Sequence, residues 1–210
     1  LEPEQVLATG LPRNDLLISE KNNDILKSRK RVEFGIAIDK TIILYEPTWR
    51  DADEIRHGHY SAKLRLDLKL LKEHFNDDVQ IIIKWHHHIE EYPKLPDEID
   101  DFALDVSYVN NMSDLYLISD IYITDYSAGL FDFVLLERPV LQFVPDEESF
   151  IDGIGIDDTA VTTLTKYKHT DDICREIELL INDPKYLAVA REKSRSIAQC
   201  YATWDDGKST

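Results

Sequence analysis

The sequence predicts a doubly wound α/β domain built on a parallel sheet, and two observations support this fold class. Short β-branched runs alternate with helical stretches along the chain, and several of these runs are apolar at every position. Strands that are apolar on both faces are typical of parallel sheets covered by helices on both sides. The 210 residues are 43% hydrophobic, which is enough to bury the core of one such domain.

The first half of the chain predicts three strands and a helix. The run at 41–45 is continuously apolar and ends before Pro47, so it predicts the first strand. Residues 60–75 carry leucines between lysines and aspartates, which predicts an amphipathic helix. Three consecutive isoleucines within 79–85 predict the second strand, and 106–109 predicts the third.

The second half predicts two further strands between helices. A short helix is predicted at 113–119 with Ser113 as its N-cap, because serine favours that position. Strands follow at 121–124 and 139–144, separated by a helix at 129–137. The chain closes with two predicted helices, at 171–181 and 185–201.

Composition excludes several classes of protein. The net charge is −17, with 24 basic and 41 acidic residues, which argues against nucleic-acid binding and against attraction to an anionic membrane. Cys174 and Cys200 lie far apart in helical patterns and predict neither a disulfide framework nor a zinc module. No apolar run approaches the roughly 20 residues that cross a bilayer. The chain begins at Leu1 and ends without a closing element, so we expect part of a longer protein.

Ligands of doubly wound folds bind beyond the carboxyl ends of the strands. That rule selects the loops 46–51, 85–90, 109–113 and 125–129. The last, Asp125-Tyr126-Ser127-Ala128-Gly129, has small residues, and its amides at a helix N-terminus could hold a phosphate. Ser127 adds a hydroxyl, and Asp132, one turn further on, could accept hydrogen bonds from a sugar. The alternative is a tight turn with Ser127 as the helix N-cap.

Lys84-Trp85-His86-His87-His88 follows the second predicted strand. Consecutive residues of an extended chain point to opposite faces, so the three histidines do not converge on one metal ion. One histidine facing the crevice could neutralise a phosphate or protonate a leaving group. The alternative is that all three are surface residues.

The two remaining loops add weaker signals. Thr48 and Arg50 could bind phosphate oxygens, although a surface Arg50 paired with Asp51 or Asp53 would explain the same residues. The loop 109–113, with Asn110 and Met112, could contact a base edge. Together, the four loops favour a nucleotide diphosphate ester over an apolar ligand.

These residues also resemble a known family, the CDP-glycerol:poly(glycerophosphate) glycerophosphotransferases, or teichoic acid polymerases. The similarity covers nearly the whole chain in the family's order. It is carried by Gly10-Leu11-Pro12-Arg13-Asn14-Asp15, Ile42-Ile43-Leu44-Tyr45-Glu46-Pro47-Thr48-Trp49-Arg50-Asp51, Met112-Ser113-Asp114-Leu115-Tyr116-Leu117-Ile118-Ser119-Asp120 followed by Ile123-Thr124-Asp125-Tyr126-Ser127, Phe131-Asp132-Phe133 with Arg138-Pro139, and Trp204-Asp205-Asp206-Gly207-Lys208. Ala128 stands where the family usually has a second serine, and His87 replaces a common proline.

The resemblance implies that residues 1–210 form one Rossmann-like nucleotide-binding domain, the C-terminal half of a GT-B fold, without the acceptor half. It implies transfer of a polyol phosphate from CDP-glycerol or CDP-ribitol to a hydroxyl of a polymer or lipid-linked acceptor, releasing CMP. No cofactor is implied, and the metal requirement stays open. The expected place is the inner face of a bacterial membrane, with membrane contact through parts outside this chain.

The resemblance also assigns roles. His86 is placed at the pyrophosphate and departing CMP, with Lys84 as the basic residue of the same motif. Ser127 and the amides of Ala128 and Gly129 are placed on phosphate oxygens within the loop that begins at Asp125. Asp132 is placed at the ribose hydroxyls, and Arg50 and Thr48 at phosphate oxygens. The loop that contains Asn110 and Met112 is placed at the cytosine base. We expect the isolated chain to bind donor weakly and not to turn over.

Two other functions stay open at this point. A GT-B glycosyltransferase or an epimerase that uses a UDP-sugar would share the strands, the small-residue loop and the acidic residue. An acidic α/β domain could also be a non-catalytic module that binds a protein partner.

Overall fold

The computed structural model describes residues 9–48, 50, 54–56, 59–86, 89–147 and 164–209. Within these ranges, the strands β1 to β9 are Thr41–Glu46, Glu54–Arg56, His59–Ser61, Val79–Ile83, Ile89–Glu91, Ala103–Asp105, Ile121–Thr124, Val140–Phe143 and Lys166–Tyr167. The helices α1 to α7 are Pro12–Glu20, Asp24–Glu33, Leu68–Phe75, Met112–Ile118, Gly129–Phe133, Thr170–Asn182 and Pro184–Tyr201. Short 3₁₀ turns occupy Asp97–Ile99 and Val134–Leu136.

The main sheet has six strands in the order β6-β4-β1-β7-β8-β9, and every neighbouring pair is parallel. The predicted α/β class with a parallel sheet is therefore confirmed. In the central ladder, Ile43 of β1 pairs with Ile81 of β4 and Ile121 of β7. A second sheet of three short strands, β2-β3-β5, is formed by segments that follow β1 and β4.

Alternate side chains of the central strands build two cores, one on each face of the sheet. On one face, Ile43 and Ile81 pack with residues of α3 and α6, such as Leu71 and Ile177. On the other, Ile42 and Leu44 pack with residues of α1, α4, α5 and α7. The central strands are apolar at every position because both of their faces are covered.

Two predicted elements are wrong. The third strand of the main sheet is Ala103–Asp105, and 106–109 forms a turn, because the Asp105 carboxylate accepts the Ser107 amide at 2.8 Å and bends the chain. The helix predicted at 60–75 begins only at Leu68, where the Asp67 carboxylate accepts the amides of Lys69 and Leu70. Upstream, Leu64, Leu66 and Leu68 recur every second residue, which is not a helical period.

Most other predicted elements are confirmed within two residues, but the N-cap of α4 is not. Asn111 occupies that position and accepts the Ser113 amide at 3.2 Å, whereas the Ser113 hydroxyl donates to the Arg13 carbonyl. Four features were not predicted from the sequence: α1, α2, β9 and the second sheet. Cys174 is a buried free thiol and Cys200 an exposed one.

Two arginines fix the carboxyl end of α4 to the rest of the domain. Arg31 of α2 donates to the carbonyl of Ile118, with Nη2 at 2.7 Å. Arg138 donates through Nη1 to the carbonyls of Leu117 and Ser119, at 2.7 and 2.6 Å. Cations near a helix C-terminus are stabilised by its unsatisfied carbonyls and its dipole. The carboxyl end of α4 is thereby fixed near the amino ends of the strands.

Candidate functional site

The strand order of the main sheet reverses between β1 and β7. From β1 the chain adds β4 and β6 on one side, and it then returns to add β7, β8 and β9 on the other. Ligands of open α/β sheets bind at such a reversal, outside the carboxyl ends of the strands. Here those ends carry Glu46 and Thr124, which are paired in the ladder. The loops that follow them, 47–50 and 125–129, therefore define the candidate site.

Asp125 ties these two loops together. Its buried carboxylate accepts the backbone amide of Thr48 at 3.1 Å and the Thr48 hydroxyl at 2.9 Å. It also accepts the amide of Tyr126 at 2.7 Å. Gln142 of β8 donates to the Asp125 carbonyl at 3.1 Å. The carboxylate thus organises the loops, while a direct contact between Asp125 and a ligand stays a prediction.

Arg50 is buried and paired with two carboxylates. Its Nη2 lies 2.8 Å from Asp125 Oδ2, and its Nε lies 2.9 Å from Asp146 Oδ2. Its Nη1 donates to the carbonyl and hydroxyl of Thr48, at 2.9 and 2.7 Å. The alternative of a surface arginine is wrong, and Asp51 and Asp53 lie outside the described residues. Phosphate contacts by Arg50 or Thr48 stay predictions, because these donors are engaged in holding the loops.

The turn before α5 is closed by a side chain within the turn, that of Ser127. The Ser127 hydroxyl accepts the Gly129 amide at 3.1 Å, so the tight turn of the alternative is present, but Ala128 and not Ser127 occupies the N-cap position of α5. α5 has five residues, and Ala128, its N-cap residue, is exposed. Among the described residues, no acceptor is assigned to the Ala128 amide. Phosphate binding by Ser127 and by the amides of Ala128 and Gly129 stays a prediction, for which the Ala128 amide offers a donor.

Gly129 lies directly against two tyrosine hydroxyls. A Cβ added at Gly129 would lie 2.3 Å from the hydroxyl of Tyr116 and 2.9 Å from that of Tyr122. Both contacts are shorter than van der Waals packing permits. Glycine is therefore required here because α5 approaches these side chains closely.

Glu46, at the carboxyl end of β1, is the acidic residue that the sequence analysis did not assign to the site. The Tyr122 hydroxyl donates to its Oε2 at 2.6 Å, and the Tyr116 hydroxyl lies 3.3 Å from the same atom. Burial raises the pKa of the Glu46 carboxyl to about 7, although both hydroxyls favour the charged form. A carboxylate that ends an otherwise apolar strand was the signal available in the sequence.

The motif that contains Lys84 and His86 follows β4 and so lies at the same carboxyl edge of the sheet. The Lys84 ammonium donates to the carbonyls of Ser107 and Val109, at 2.7 and 2.8 Å, and so holds the loop after β6. Burial lowers the pKa of Lys84. His86 is partly buried, and its carbonyl accepts the Ile89 amide at 2.9 Å. His87 and His88 lie outside the described residues. The roles of Lys84 and His86 at a ligand stay predictions.

The loop after β6 keeps an exposed polar residue next to a capping one. Asn110 is exposed, and the neighbouring Asn111 caps α4. Met112 is partly buried and packs against the core that includes α4. The predicted contact of Asn110 and Met112 with a base is not tested by this arrangement.

Asp132 of α5 lies where the two ends of the described chain meet. Arg13 pairs with Asp132, with Nε 3.0 Å from Oδ2, and buried Asn14 donates to Asp132 Oδ1 at 3.0 Å. The Asn14 amide also lies 3.2 Å from Asp205 Oδ2, and Asp205 accepts the Leu11 amide at 2.6 Å. Three motifs that are far apart in sequence meet here, and their contact could not be predicted from each motif taken separately. The predicted ribose contact of Asp132 would use its remaining acceptor capacity.

Neither a metal-binding cluster nor a membrane-spanning helix is found among the described residues. They contain no group of three histidine, cysteine, aspartate or glutamate side chains arranged to hold a metal ion. None of the helices in the same ranges combines the length and apolar character that a bilayer crossing requires.

Comparisons with known proteins agree with this architecture. A teichoic acid poly(glycerol phosphate) polymerase of Bacillus spizizenii is 43% identical over 149 residues, 70% of this chain and 37% of the relative. A teichoic acid glycerol-phosphate transferase of Staphylococcus aureus is 38% identical over 151 residues, 72% of this chain and 38% of the relative. The chain therefore spans less than two fifths of the length of these curated relatives.

The wall teichoic acid polymerase TagF has the same fold. Its solved structure matches with a TM-score of 0.83 and 31% identity, over 99% of this chain and 50% of the polymerase. A TagF variant soaked with CDPG matches over 100% of this chain with the same TM-score. The model of the CDP-Glycerol:Poly(glycerophosphate) glycerophosphotransferase family matches residues 1–210. The chain therefore belongs to the CDP-glycerol:poly(glycerophosphate) glycerophosphotransferase family.

Proposed function

We propose that this chain supplies the donor site of a transferase that moves a polyol phosphate from a CDP-activated donor to an acceptor hydroxyl, releasing CMP. Glycerol phosphate is the preferred group, because the two relatives described above are named for it. The observation that carries the proposal is the pair of loops joined by Asp125 where the strand order reverses, in a chain of this family.

The positions of the strand ends support a donor that crosses the sheet edge. β4, β1 and β7 are consecutive neighbours, so the ends of β4 and β7 are two strand spacings apart, roughly 10 Å. A nucleoside diphosphate ester is long enough to cross this distance. We assign its phosphates to Ser127 and the Ala128 amide on one side and to His86 on the other.

In the proposed reaction, the acceptor hydroxyl attacks the β-phosphorus of the donor. The bond from that phosphorus to the bridging oxygen breaks, and CMP departs with the oxygen. His86 would stabilise the charge that builds on the departing phosphate, which is the main task of a phosphoryl-transfer site. We place the base that takes the acceptor proton in the half of the enzyme that lies outside this chain.

The acceptor in this proposal is a teichoic-acid or capsule-type polymer, or a lipid-linked chain. Such an acceptor would meet the donor site at the cytoplasmic face of a bacterial membrane. The membrane contact would be made by parts of the enzyme other than these 210 residues.

Isothermal titration of the chain with CDP-glycerol, CDP-ribitol and UDP-glucose tests the donor class. We expect weak, saturable binding of a CDP-polyol and none of UDP-glucose. His86→Ala should weaken this binding about tenfold or more, the scale of one lost charge-assisted contact. The matched control is His74→Ala on α3, an exposed histidine away from the strand ends. Binding of UDP-glucose alone, or equal effects of both variants, would contradict the proposal.

A further inference from the structure

A second cavity lies at the amino edge of the main sheet, opposite the candidate donor site. It has a volume of about 550 Å³. Its wall includes Thr41, Ile121 and Pro139, which lie at the amino ends of β1, β7 and β8. Because the strands are parallel, this edge is the one farthest from the loops after β1 and β7.

The lining of this cavity is basic within an acidic protein. Five basic side chains line it: Lys21, Lys27, Arg138, Arg191 and Arg195. The acidic side chains in the same lining are Asp24, Asp120 and Glu137. Positive charges thus exceed negative ones by two, whereas the whole chain carries −17.

Two of the three carboxylates are already shared between cations. The Glu137 carboxylate accepts hydrogen bonds from Lys21 Nζ at 2.8 Å and from Arg195 Nη2 at 2.7 Å. Asp120 pairs with Lys27 and also accepts Arg31 Nη2 at 2.7 Å. Both carboxylates are therefore already engaged by two cations each.

Arg138 and Arg191 make no ion pair within the described ranges. The hydrogen bonds of Arg138 go to neutral backbone carbonyls. Arg191 is exposed on α7. Burial lowers the pKa of Arg138; the charge of Asp120 opposes this shift, and the charges of Arg31 and Arg191 add to it. Cations that line the same cavity repel one another, and a bound anion would stabilise them.

We propose that this cavity binds the phosphate group of a phosphate ester, with Arg191 as a principal contact. Guanidinium groups match phosphate oxygens in bidentate geometry. The volume exceeds that of a phosphate ion, and Leu136, Leu180 and Leu187 provide an apolar wall for the carbon skeleton of an ester. The proposal is independent of the donor site, because the two sites lie at opposite edges of the sheet.

Titration calorimetry at constant ionic strength tests whether the cavity binds a soluble phosphate ester. Glycerol 3-phosphate is the probe, and saturable binding is expected. Arg191→Gln should weaken it by roughly tenfold. The matched control is Lys193→Gln, which removes the same charge from the same helix but lines a different cavity. His86→Ala at the opposite edge should leave this affinity unchanged, which separates the two sites.

Cosedimentation with vesicles tests whether the phosphate ester that binds is a lipid headgroup. Phosphatidylglycerol vesicles should retain the wild-type chain more than phosphatidylcholine vesicles do, and Arg191→Gln should abolish the difference, if the ester is a lipid. Loss of binding in Arg191→Gln with either probe supports the site. Failure of both probes to bind, or equal binding by Arg191→Gln and Lys193→Gln, overturns it.

Discussion

Arg50 and Asp125 form a buried ion pair where the strand order of the main sheet reverses, with Nη2 2.8 Å from Oδ2. The pair joins the loop after β1 to the loop after β7. The Thr48 hydroxyl donates to the same carboxylate at 2.9 Å and accepts from Arg50 at 2.7 Å. These contacts fix the relative position of the two loops that the proposed donor site needs.

Asp125→Asn should unfold more easily than the wild-type chain. The substitution leaves the buried Arg50 guanidinium without one of its two carboxylates, and breaking a buried pair from one side costs about 3 kcal/mol. Urea denaturation followed by circular dichroism measures this free energy of unfolding. The control is Asp97→Asn, whose pair with Lys94 is fully exposed and whose loss should change stability by less than about 0.5 kcal/mol. Equal destabilisation by both variants would contradict the structural role of Asp125.

Glu46 should make the stability of the chain depend on pH. Its pKa of about 7 in the folded state lies above the ordinary value of a glutamate, so the folded protein binds more protons than the unfolded one between those values. The free energy of unfolding should therefore fall as pH rises from about 4.5 to about 7. Glu46→Gln should remove this component, of about 3 kcal/mol.

The measurement for Glu46 is the difference in free energy of unfolding between Glu46→Gln and wild type, from pH 4.5 to pH 8. The variant should gain stability relative to wild type as pH rises, because it carries no charge to bury. Glu54→Gln, which alters an exposed glutamate, is the control. A difference that stays constant across this range would show that the folded-state pKa of Glu46 is not raised.

Gly129→Ala should destabilise the chain through crowding. Its Cβ would meet the hydroxyls of Tyr116 and Tyr122, and overpacking of this kind costs about 1–3 kcal/mol. Because α5 would have to shift, CDP-glycerol binding should weaken as well. In Gly35→Ala, by contrast, the new Cβ meets open space at a φ of +69°, so it should cost about 1 kcal/mol without changing the affinity. Unchanged affinity in Gly129→Ala would separate α5 from the donor site.

Asn14→Ala should loosen the junction that joins α1, α5 and the C-terminal segment. Asn14 donates to both Asp132 and Asp205, and its removal leaves partly buried acceptors unmatched at a cost of about 1–3 kcal/mol. Hydrogen exchange of the amides in α1 and in 203–209 should rise together. Asn22→Ala, at an exposed asparagine, should leave exchange unchanged. Faster exchange in only one of these segments would contradict a shared junction.

The sequence predicted the main sheet well because its signals are local. The run Ile81-Ile82-Ile83 is apolar on both faces, and such a run predicts a buried parallel strand without any knowledge of its neighbours. The prediction of the third strand was wrong because the Asp105 side chain accepts the Ser107 amide and turns the chain at Val106, a contact that composition does not reveal. Hydrophobic residues alone therefore placed that strand three positions too late.

The candidate site was predicted in outline but not in its internal contacts. Thr48, Arg50 and Asp125 were all selected as loop residues at strand ends, and the structure brings them together. The sequence could not indicate that they bind one another, because their pairing depends on the reversal between β1 and β7. The junction of Asn14 with Asp132 and Asp205 was missed for the same reason, since its members are more than 70 positions apart in sequence.

The most direct test of the donor site is an amide-resolved NMR titration of the chain with CDP-glycerol. We expect saturable shifts at 47–50, 84–86 and 125–129, together with small shifts at the amino ends of β1, β7 and β8. The same titration of Ser127→Ala should require a higher donor concentration. Shifts absent from the loops after β1 and β7 at saturating CDP-glycerol would contradict a donor site at the carboxyl edge of the sheet.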